Sequence, residues 1–124
     1  MDFDLRLFFN KMPQSLPLYE MFKEKVCKEC TDVEIKIQKS QIAFSNKHNF
    51  AFVWLPIHKM KSRPEIYIIV SFCLTHKLES QRIVQVVEPY PDRWMHHVII
   101  QDRNEIDIEL MSWIKEAYEF ANNK

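Results

Sequence analysis

A chain of 124 residues with 47% hydrophobic and 13% aromatic residues is long enough to bury a core and too apolar to be disordered. Its 17 basic and 17 acidic residues cancel, and it contains no glycine. The absence of glycine excludes phosphate-binding P-loops and the glycine-rich turn of dinucleotide-binding folds. We therefore expect one globular domain over residues 1–124, and not a nucleotide-hydrolysing enzyme of either kind.

Signals for export and membrane insertion are both missing from the sequence. No apolar run approaches the roughly 18 residues that would span a bilayer. The chain starts with acidic residues where a secretory signal would be basic. Three cysteines without an export signal favour a reducing compartment. The expected location is the cytoplasm, with no membrane partner.

The N-terminal part of the chain predicts two helices. Apolar residues at helical spacing over residues 2–11 indicate the first. Ser15 is the expected N-cap of the second, which continues to Cys30 with an apolar stripe. Cys27 and Cys30 form a C-x-x-C pair near the C-terminal end of this helix, where the helix dipole does not stabilise a thiolate. We interpret both as packed thiols rather than as a redox or zinc site.

From Val33 onward the hydrophobic period changes from helical to two, which predicts β-strands. The expected strands cover residues 33–38, 41–45, 50–55 and 65–74. The last two are apolar on both faces, as in the centre of a sheet. Residues 82–87 fit either a short strand or a helical turn.

A proline-rich turn then leads into a last strand. Pro89 and Pro91 stiffen the chain, and residues 93–100 have the composition of a strand. Because side chains alternate along a strand, His96 and His97 are expected on opposite faces. The pair is therefore not expected to chelate one metal ion.

These elements and a C-terminal helix predict an α+β fold. Asp102 and Glu105 form a capping box at the expected start of that helix. We expect a mostly antiparallel sheet of about five strands, with two N-terminal helices and the C-terminal helix packed on one face. Without glycine, tight turns need positive φ from other residues. The residues expected to supply it are Asn10, Asn46 and Asn49.

Charge is distributed unevenly along the chain. Between residues 35 and 64 there are six cations and no acid, namely Lys36, Lys39, Lys47, Lys59, Lys61 and Arg63. The interleaved aromatic residues are Phe44, Phe50, Phe52 and Trp54. A basic and aromatic sheet is typical of surfaces that bind single-stranded nucleic acid by stacking and backbone charge. In the alternative, the aromatic residues form core and the lysines prevent edge pairing.

The candidate ligand-binding residues are polar or aromatic groups at the ends of apolar segments: Lys39, Gln41, Trp54, Arg93, Trp94, His96 and His97. We expect Lys39, Gln41, Arg93 and one of the histidines to converge on an anionic small molecule or nucleic acid, with a tryptophan as a flat contact. The sequence leaves open which histidine faces the site. No metal or cofactor is predicted.

Three alternatives stay open. In a purely structural interpretation, Trp94 is core, one histidine is hydrogen-bonded inside, and Arg93 makes an ion pair. In the second, the protein is a hydrolytic or nucleic-acid-processing enzyme that uses His96 or His97 with a nearby carboxylate. In the third it is a protein–protein interaction domain, which its neutral charge and many aromatic residues favour. The oligomeric state is equally open.

Several segments together resemble the bacterial family catalogued as domain of unknown function 5655. They cover residues 34–44, 50–56, 87–97 and 113–118. Members of that family occur alone or at the C-terminus of longer proteins, some loosely labelled as transport-related, and the resemblance implies no established activity. Its recurring Lys-x-Gln and Arg-Trp-x-His-His motifs correspond to the residues Lys39, Gln41, Arg93, Trp94, His96 and His97. Asp92 stands where we expect a glycine at the turn.

Overall fold

A computed structural model describes residues 5–55 and 66–123 of the chain. Within them, the α-helices are α1 (Leu5–Phe8), α2 (Leu16–Glu29) and α3 (Ile108–Asn122). Short 3-10 turns cover Pro13–Ser15 and Arg103–Glu105. The strands are β1 (Glu34–Ile37), β2 (Ile42–Ser45), β3 (Asn49–Trp54), β4 (Ile68–Leu74), β5 (Ile83–Tyr90) and β6 (Arg93–Ile100). None of the described helices has the length and apolarity needed to cross a bilayer.

The six strands form one sheet in the order β1-β2-β3-β4-β6-β5, and every neighbouring pair is antiparallel. The predicted α+β class and antiparallel sheet are confirmed, but the expected number of about five strands is wrong. The additional strand is β5, which includes most of the ambiguous segment 82–87. This edge strand is largely exposed and its register with β6 is irregular at two places. It therefore lacks the alternation by which a half-buried strand is predicted.

Helices α2 and α3 pack against one face of the sheet, called here the helix face. Phe22 of α2 meets Phe44 of β2 with ring centroids 5.4 Å apart, and Trp113 of α3 stacks on Phe72 of β4 at 5.9 Å. Burying such side chains stabilises the fold by about 1.5–3 kcal/mol each. Of the first helix predicted over residues 2–11, the described part is α-helical only over Leu5–Phe8 and contains no buried residue there, while residues 2–4 lie outside the described residues.

The helix starts differ from the predicted ones. Ser15 precedes α2, but its hydroxyl donates to the carbonyl oxygen of Met12 at 2.6 Å and makes no cap bond. The Asp102–Glu105 capping box is present, but it caps the 3-10 turn and not the long helix. Helix α3 instead begins after Asp107, whose carboxylate accepts the Leu110 N–H at 3.0 Å. The expected start of the long helix at Asp102 is therefore wrong, because a second capping residue, Asp107, follows in the same segment.

Positive φ angles occur at two aspartates among the described residues, Asp32 (52°) and Asp92 (62°). The expectation that Asn10, Asn46 and Asn49 supply them is wrong. Aspartate enters the left-handed region because its short polar side chain bonds locally. Asn46 has another role, since its amide donates to the carbonyl oxygens of Thr31 (3.0 Å) and Asp32 (3.2 Å) and fastens the turn before β1.

Candidate ligand-binding site

The two faces of the central strands carry different chemistry. On β6, Trp94, His96, Val98 and Ile100 lie on the helix face, as their pairing with Leu74, Phe72, Val70 and Ile68 of β4 shows. Arg93, Met95, His97 and Ile99 lie on the opposite side, called here the far face. Phe52 of β3 pairs with Ser71 of β4, which pairs with His97 of β6, so these three are neighbours on the far face. Strand alternation alone produces this separation.

Trp54, Ser71 and His97 form a hydrogen-bonded trio on the far face. The Trp54 indole N–H donates to the Ser71 hydroxyl oxygen at 2.7 Å, and that oxygen lies 2.6 Å from Nδ1 of His97. The indole and imidazole rings also meet edge to face, with centroids 5.7 Å apart. Because an indole N–H only donates, Ser71 must accept from Trp54. The serine side chain is thereby fixed between two rings.

Two adjoining cavities lie along this face. The first, of about 340 Å³, is lined by Ser40, Gln41, Phe52, Trp54, Ser71, Met95 and His97. The second, of about 730 Å³, is lined by His48, Asn49, Phe52, Cys73, Pro89, Tyr90, Pro91, Arg93 and Met95. They share Phe52 and Met95, so one groove runs across both. Both volumes are in the range of small-molecule sites, about 300–1,000 Å³.

The groove differs in charge from the cavities on the helical side. No aspartate or glutamate is among the described residues that line it, whereas it contains Arg93 and many hydrogen-bonding groups. The helix-side cavities mix both signs: one has Glu20 and Glu24 with Lys25 and Lys28, and the other has further acids and lysines. Of these four cavities, the two that form the far-face groove are the ones with no acid among their described lining residues, and the second of them contains the cation Arg93.

The structure brings some of the candidate residues together and separates others. Gln41, Trp54 and His97 line the first cavity, and Arg93 lines the second. Lys39 is exposed in the turn beside Ser40, outside the cavity lining. Trp94 and His96 lie on the helix face, where they cannot converge with the others. Ligand binding by the four grouped residues stays a prediction.

His96 is a core residue. It is fully buried and stacks on Phe72, with centroids 5.2 Å apart and an interplanar angle of 10°. The Leu78 N–H donates to its Nε2 at 3.0 Å, so in the neutral ring the proton is on Nδ1. Burial lowers the pKa of His96, against the smaller opposing effect of the Trp94 and Phe72 backbone carbonyls. A neutral, enclosed imidazole of this kind stabilises the fold and does not face a ligand.

Two arginines, Arg82 just before β5 and Arg93 at the start of β6, have contrasting partners. Arg82 donates to Asp107 and Glu109, both at 2.9 Å, and lies over the ring of Trp113. These carboxylates raise the pKa of Arg82 and outweigh the lowering by desolvation, which is the largest single influence. Arg93 lies over the Phe120 ring, 5.3 Å from its centroid. Among residues 5–55 and 66–123, no carboxylate is within ion-pair distance of Arg93, so its positive charge is not neutralised there.

The aromatic part of the predicted basic and aromatic surface is smaller than the sequence suggests. Phe44 and Phe50 are core residues, exposed by 0% and 1%, whereas Phe52 and Trp54 are partly buried on the far face. Three of its cations, Lys36, Lys39 and Lys47, are exposed. The other three, Lys59, Lys61 and Arg63, lie outside the described residues.

The cysteines are reduced, and Cys30 is inert. Cys30 is buried as expected, which raises the pKa of its thiol to about 11. Such a thiol is protonated at neutral pH and a poor nucleophile. Cys27 is exposed near the same helix end, so the expectation that both thiols are packed is wrong for Cys27. Within the described ranges, no three His, Cys, Asp or Glu side chains are grouped to hold a metal ion.

Ser71 is the residue of the groove that sequence reasoning did not single out. It stands inside the apolar run of β4 and is 3% exposed, so by pattern it belongs to the core. The one signal in the sequence that could have pointed to Ser71 is that no other residue of this strand carries a hydroxyl group. Its significance depends on His97, which is 26 positions away, and on Trp54.

Comparison with known proteins places the chain in a family. Neither a curated protein nor a solved structure matches it. A family model described as "Domain of unknown function (DUF5655)" matches residues 7–121, which is nearly the whole chain. The chain therefore belongs to the DUF5655 family.

Proposed function

We propose that this domain binds a small anionic ligand with a flat apolar part in the groove on the far face. The observation that carries the proposal is the composition of the groove: hydrogen-bonding side chains, aromatic surface and an arginine, with no acid among its described lining residues. An acidic ligand meets no charge repulsion from these residues and gains from Arg93.

Arg93 supports the proposal that the ligand carries an anionic group. Its guanidinium is held by the Phe120 ring rather than by a described carboxylate. A cation–π contact positions the group through its face and leaves its in-plane N–H donors for an oxyanion. Hydrogen bonds between charged groups are about twice as strong as neutral ones, so an acid gains more here than a neutral analogue.

The apolar lining of the groove supports the flat part of the proposed ligand, and includes Phe52, Trp54 and Met95. They line the groove, and Phe52 and Met95 lie where its two cavities join. A planar ring stacks favourably on aromatic carbon, and methionine adapts its shape to the ligand.

A small ligand fits this surface better than a single strand of nucleic acid. Stacking of successive bases needs several exposed aromatic side chains, and Phe44 and Phe50 are in the core. Among the described residues, the groove offers Phe52, Trp54 and Tyr90, with a single arginine, Arg93. An oligonucleotide nevertheless belongs in the test as a competing ligand.

The test is an NMR titration of ¹⁵N-labelled protein with 2-naphthoate, the neutral 2-naphthamide and a thymidine decamer. We expect naphthoate to shift the Trp54 indole resonance and to bind roughly tenfold more tightly than naphthamide, as for one charged hydrogen bond. Arg93→Gln removes that preference, and Arg103→Gln, on the opposite side of the molecule, keeps it. Equal affinity for the acid and the amide, or tighter binding of the decamer, contradicts the proposal.

One observation favours hydrolysis as a second candidate function. A serine hydroxyl 2.6 Å from an imidazole nitrogen, inside a cavity, is the arrangement of an activated nucleophile. Donation from Trp54 to the same oxygen works against it, because it withdraws electron density from that oxygen. A fluorophosphonate probe separates the two functions. Labelling that disappears in Ser71→Ala supports an enzyme, and equal background labelling of both proteins supports a binding module.

A further inference from the structure

We propose that one elongated ligand spans both cavities and lies parallel to β6, with its acidic group at Arg93 and a polar edge of its flat ring at Ser71 and His97. This inference rests on the proposed function and specifies the class of ligand. It follows from the order in which the groove presents cationic, apolar and hydrogen-bonding groups.

The length of the ligand follows from strand geometry. Arg93 and His97 lie on the same face of β6, four residues apart. At about 3.3 Å per residue, the backbone positions of these two residues are separated by about 13 Å. Met95 lies midway between them, and Phe52 borders both cavities. A ligand that contacts both ends must therefore cross an apolar middle.

The Ser71 end is built for hydrogen bonding before any ligand arrives. Ser71 is 3% exposed and is held by Trp54 and His97 at 2.7 and 2.6 Å. A polar group whose rotamer is fixed loses little entropy on binding, which favours a specific partner over a non-specific one. The first cavity, of about 340 Å³, has room for a ring whose edge carries a hydroxyl, amide or ring nitrogen.

Phe120 is a positioning residue at the other end. It belongs to α3 on the helix side, yet its ring carries the guanidinium of Arg93. The helical layer thereby helps to fix the guanidinium of Arg93, a residue that also lines the second cavity. Replacing this ring is expected to weaken binding of acids without altering the lining of the first cavity.

The shared chemistry is a flat ring with a hydrogen-bonding edge, joined to an anionic group about 10–13 Å away. Two sources have this chemistry, an aryl carboxylic acid and a nucleoside monophosphate. They are represented by 4′-hydroxybiphenyl-4-carboxylate and by adenosine monophosphate. Biphenyl-4-carboxylate, which lacks the hydroxyl, is the matched probe for the polar end.

The experiment measures the affinity of these probes for the wild type and for three variants. The hydroxylated acid is expected to lose about fivefold or more in Arg93→Gln and, separately, in Ser71→Ala, as for one lost hydrogen bond each. The acid without the hydroxyl loses affinity only in Arg93→Gln. Phe120→Leu weakens both acids equally. If Ser71→Ala does not fold, Ser71→Cys, of nearly the same shape, takes its place.

The outcomes separate this inference from the proposed function. If Ser71→Ala affects both acids alike, or neither, one ligand does not span the groove and the inference is overturned. A preference for naphthoate over naphthamide then still supports the proposed function. If no acid binds better than its neutral analogue, both fail. If the variants show that one ligand spans the groove, the affinities of the hydroxylated acid and adenosine monophosphate are compared. The probe that binds more tightly shows whether the ligand is an aryl carboxylic acid or a nucleoside monophosphate.

Discussion

His96 and His97 are adjacent in the chain but belong to different parts of the molecule. His96 is enclosed between Phe72 and the Leu78 backbone, and its pKa is lowered by burial. His97 borders a cavity and shares a hydrogen bond with Ser71. The alternation of one strand thus assigns one ring to stability and the other to the candidate site. The comparison of the two faces predicts which substitutions unfold the protein and which leave it folded but altered in binding.

The largest expected effect comes from two phenylalanines on opposite faces. Phe72→Ala should lower the free energy of unfolding by about 3–5 kcal/mol, because it leaves a cavity beneath α3. Phe52→Ala should cost about 1–2 kcal/mol, since that ring is partly exposed and loses less buried area. Urea unfolding followed by circular dichroism measures both. Equal losses of unfolding free energy in the two variants would contradict the assignment of the helix face to stability and the far face to binding.

A change of pH distinguishes the two histidines. The folded pKa of His96 lies below the ordinary histidine value of 6.5, so on acidification the unfolded chain takes up its proton first. The contribution of His96 is complete above pH 6.5 and is lost as the pH falls toward the folded pKa. Urea unfolding from pH 8 to pH 5 should show a shallower loss in His96→Gln than in the wild type. The matched variant His97→Gln should retain the slope attributed to His96, and a flattened slope there would contradict the assignment.

Arg82 and Arg93 should differ in their contribution to stability. Arg82→Gln is expected to cost about 1–2 kcal/mol, because it removes partly exposed ion pairs to Asp107 and Glu109. Arg93→Gln should cost under about 0.5 kcal/mol, since it breaks no ion pair among the described residues. Thermal unfolding at low and moderate salt measures this. A salt-dependent loss in Arg93→Gln would show that its charge has a structural partner.

The smallest effect concerns the turn that carries Arg93. Asp92 has a φ of 62°, where an alanine costs about 1 kcal/mol and a glycine is accommodated. Asp92→Ala should therefore destabilise the protein by about 1 kcal/mol, and Asp92→Gly by no more than about 0.5 kcal/mol in either direction. Equal losses in the two variants, measured by thermal unfolding, would mean that the aspartate side chain and not the backbone angle matters.

Local patterns predicted much of the fold. The apolar residues of β3 and β4 indicated central strands, and alternation correctly separated His96 from His97. The edge strand β5 was ambiguous because most of its side chains are exposed and its partly buried ones do not alternate along the strand. The roles of Phe44, Phe50 and Phe52 could not be told apart, because burial depends on which face the helices cover.

The candidate site was predictable only in part, because its neighbours come from distant strands. Gln41 and His97 meet in one cavity, although nothing local links them. Ser71 was hidden inside an apolar run, and its meaning depends on the pairing of β4 with β6. Trp94 is next to Arg93 in sequence, yet alternation places it on the helix face. Which of these residues are neighbours follows from the pairing of distant strands, and the spacing of motifs in the sequence does not show it.

The most direct test of the binding proposal uses two methionines, Met95 in the far-face groove and Met111 in a cavity on the helical side. With ¹³C-labelled methionine methyl groups, added 2-naphthoate should shift the Met95 resonance and give intermolecular Overhauser effects to it, while Met111 stays unchanged. A naphthoate that contacts Met111 and leaves Met95 unmoved would contradict the central claim that the far face is the ligand-binding surface.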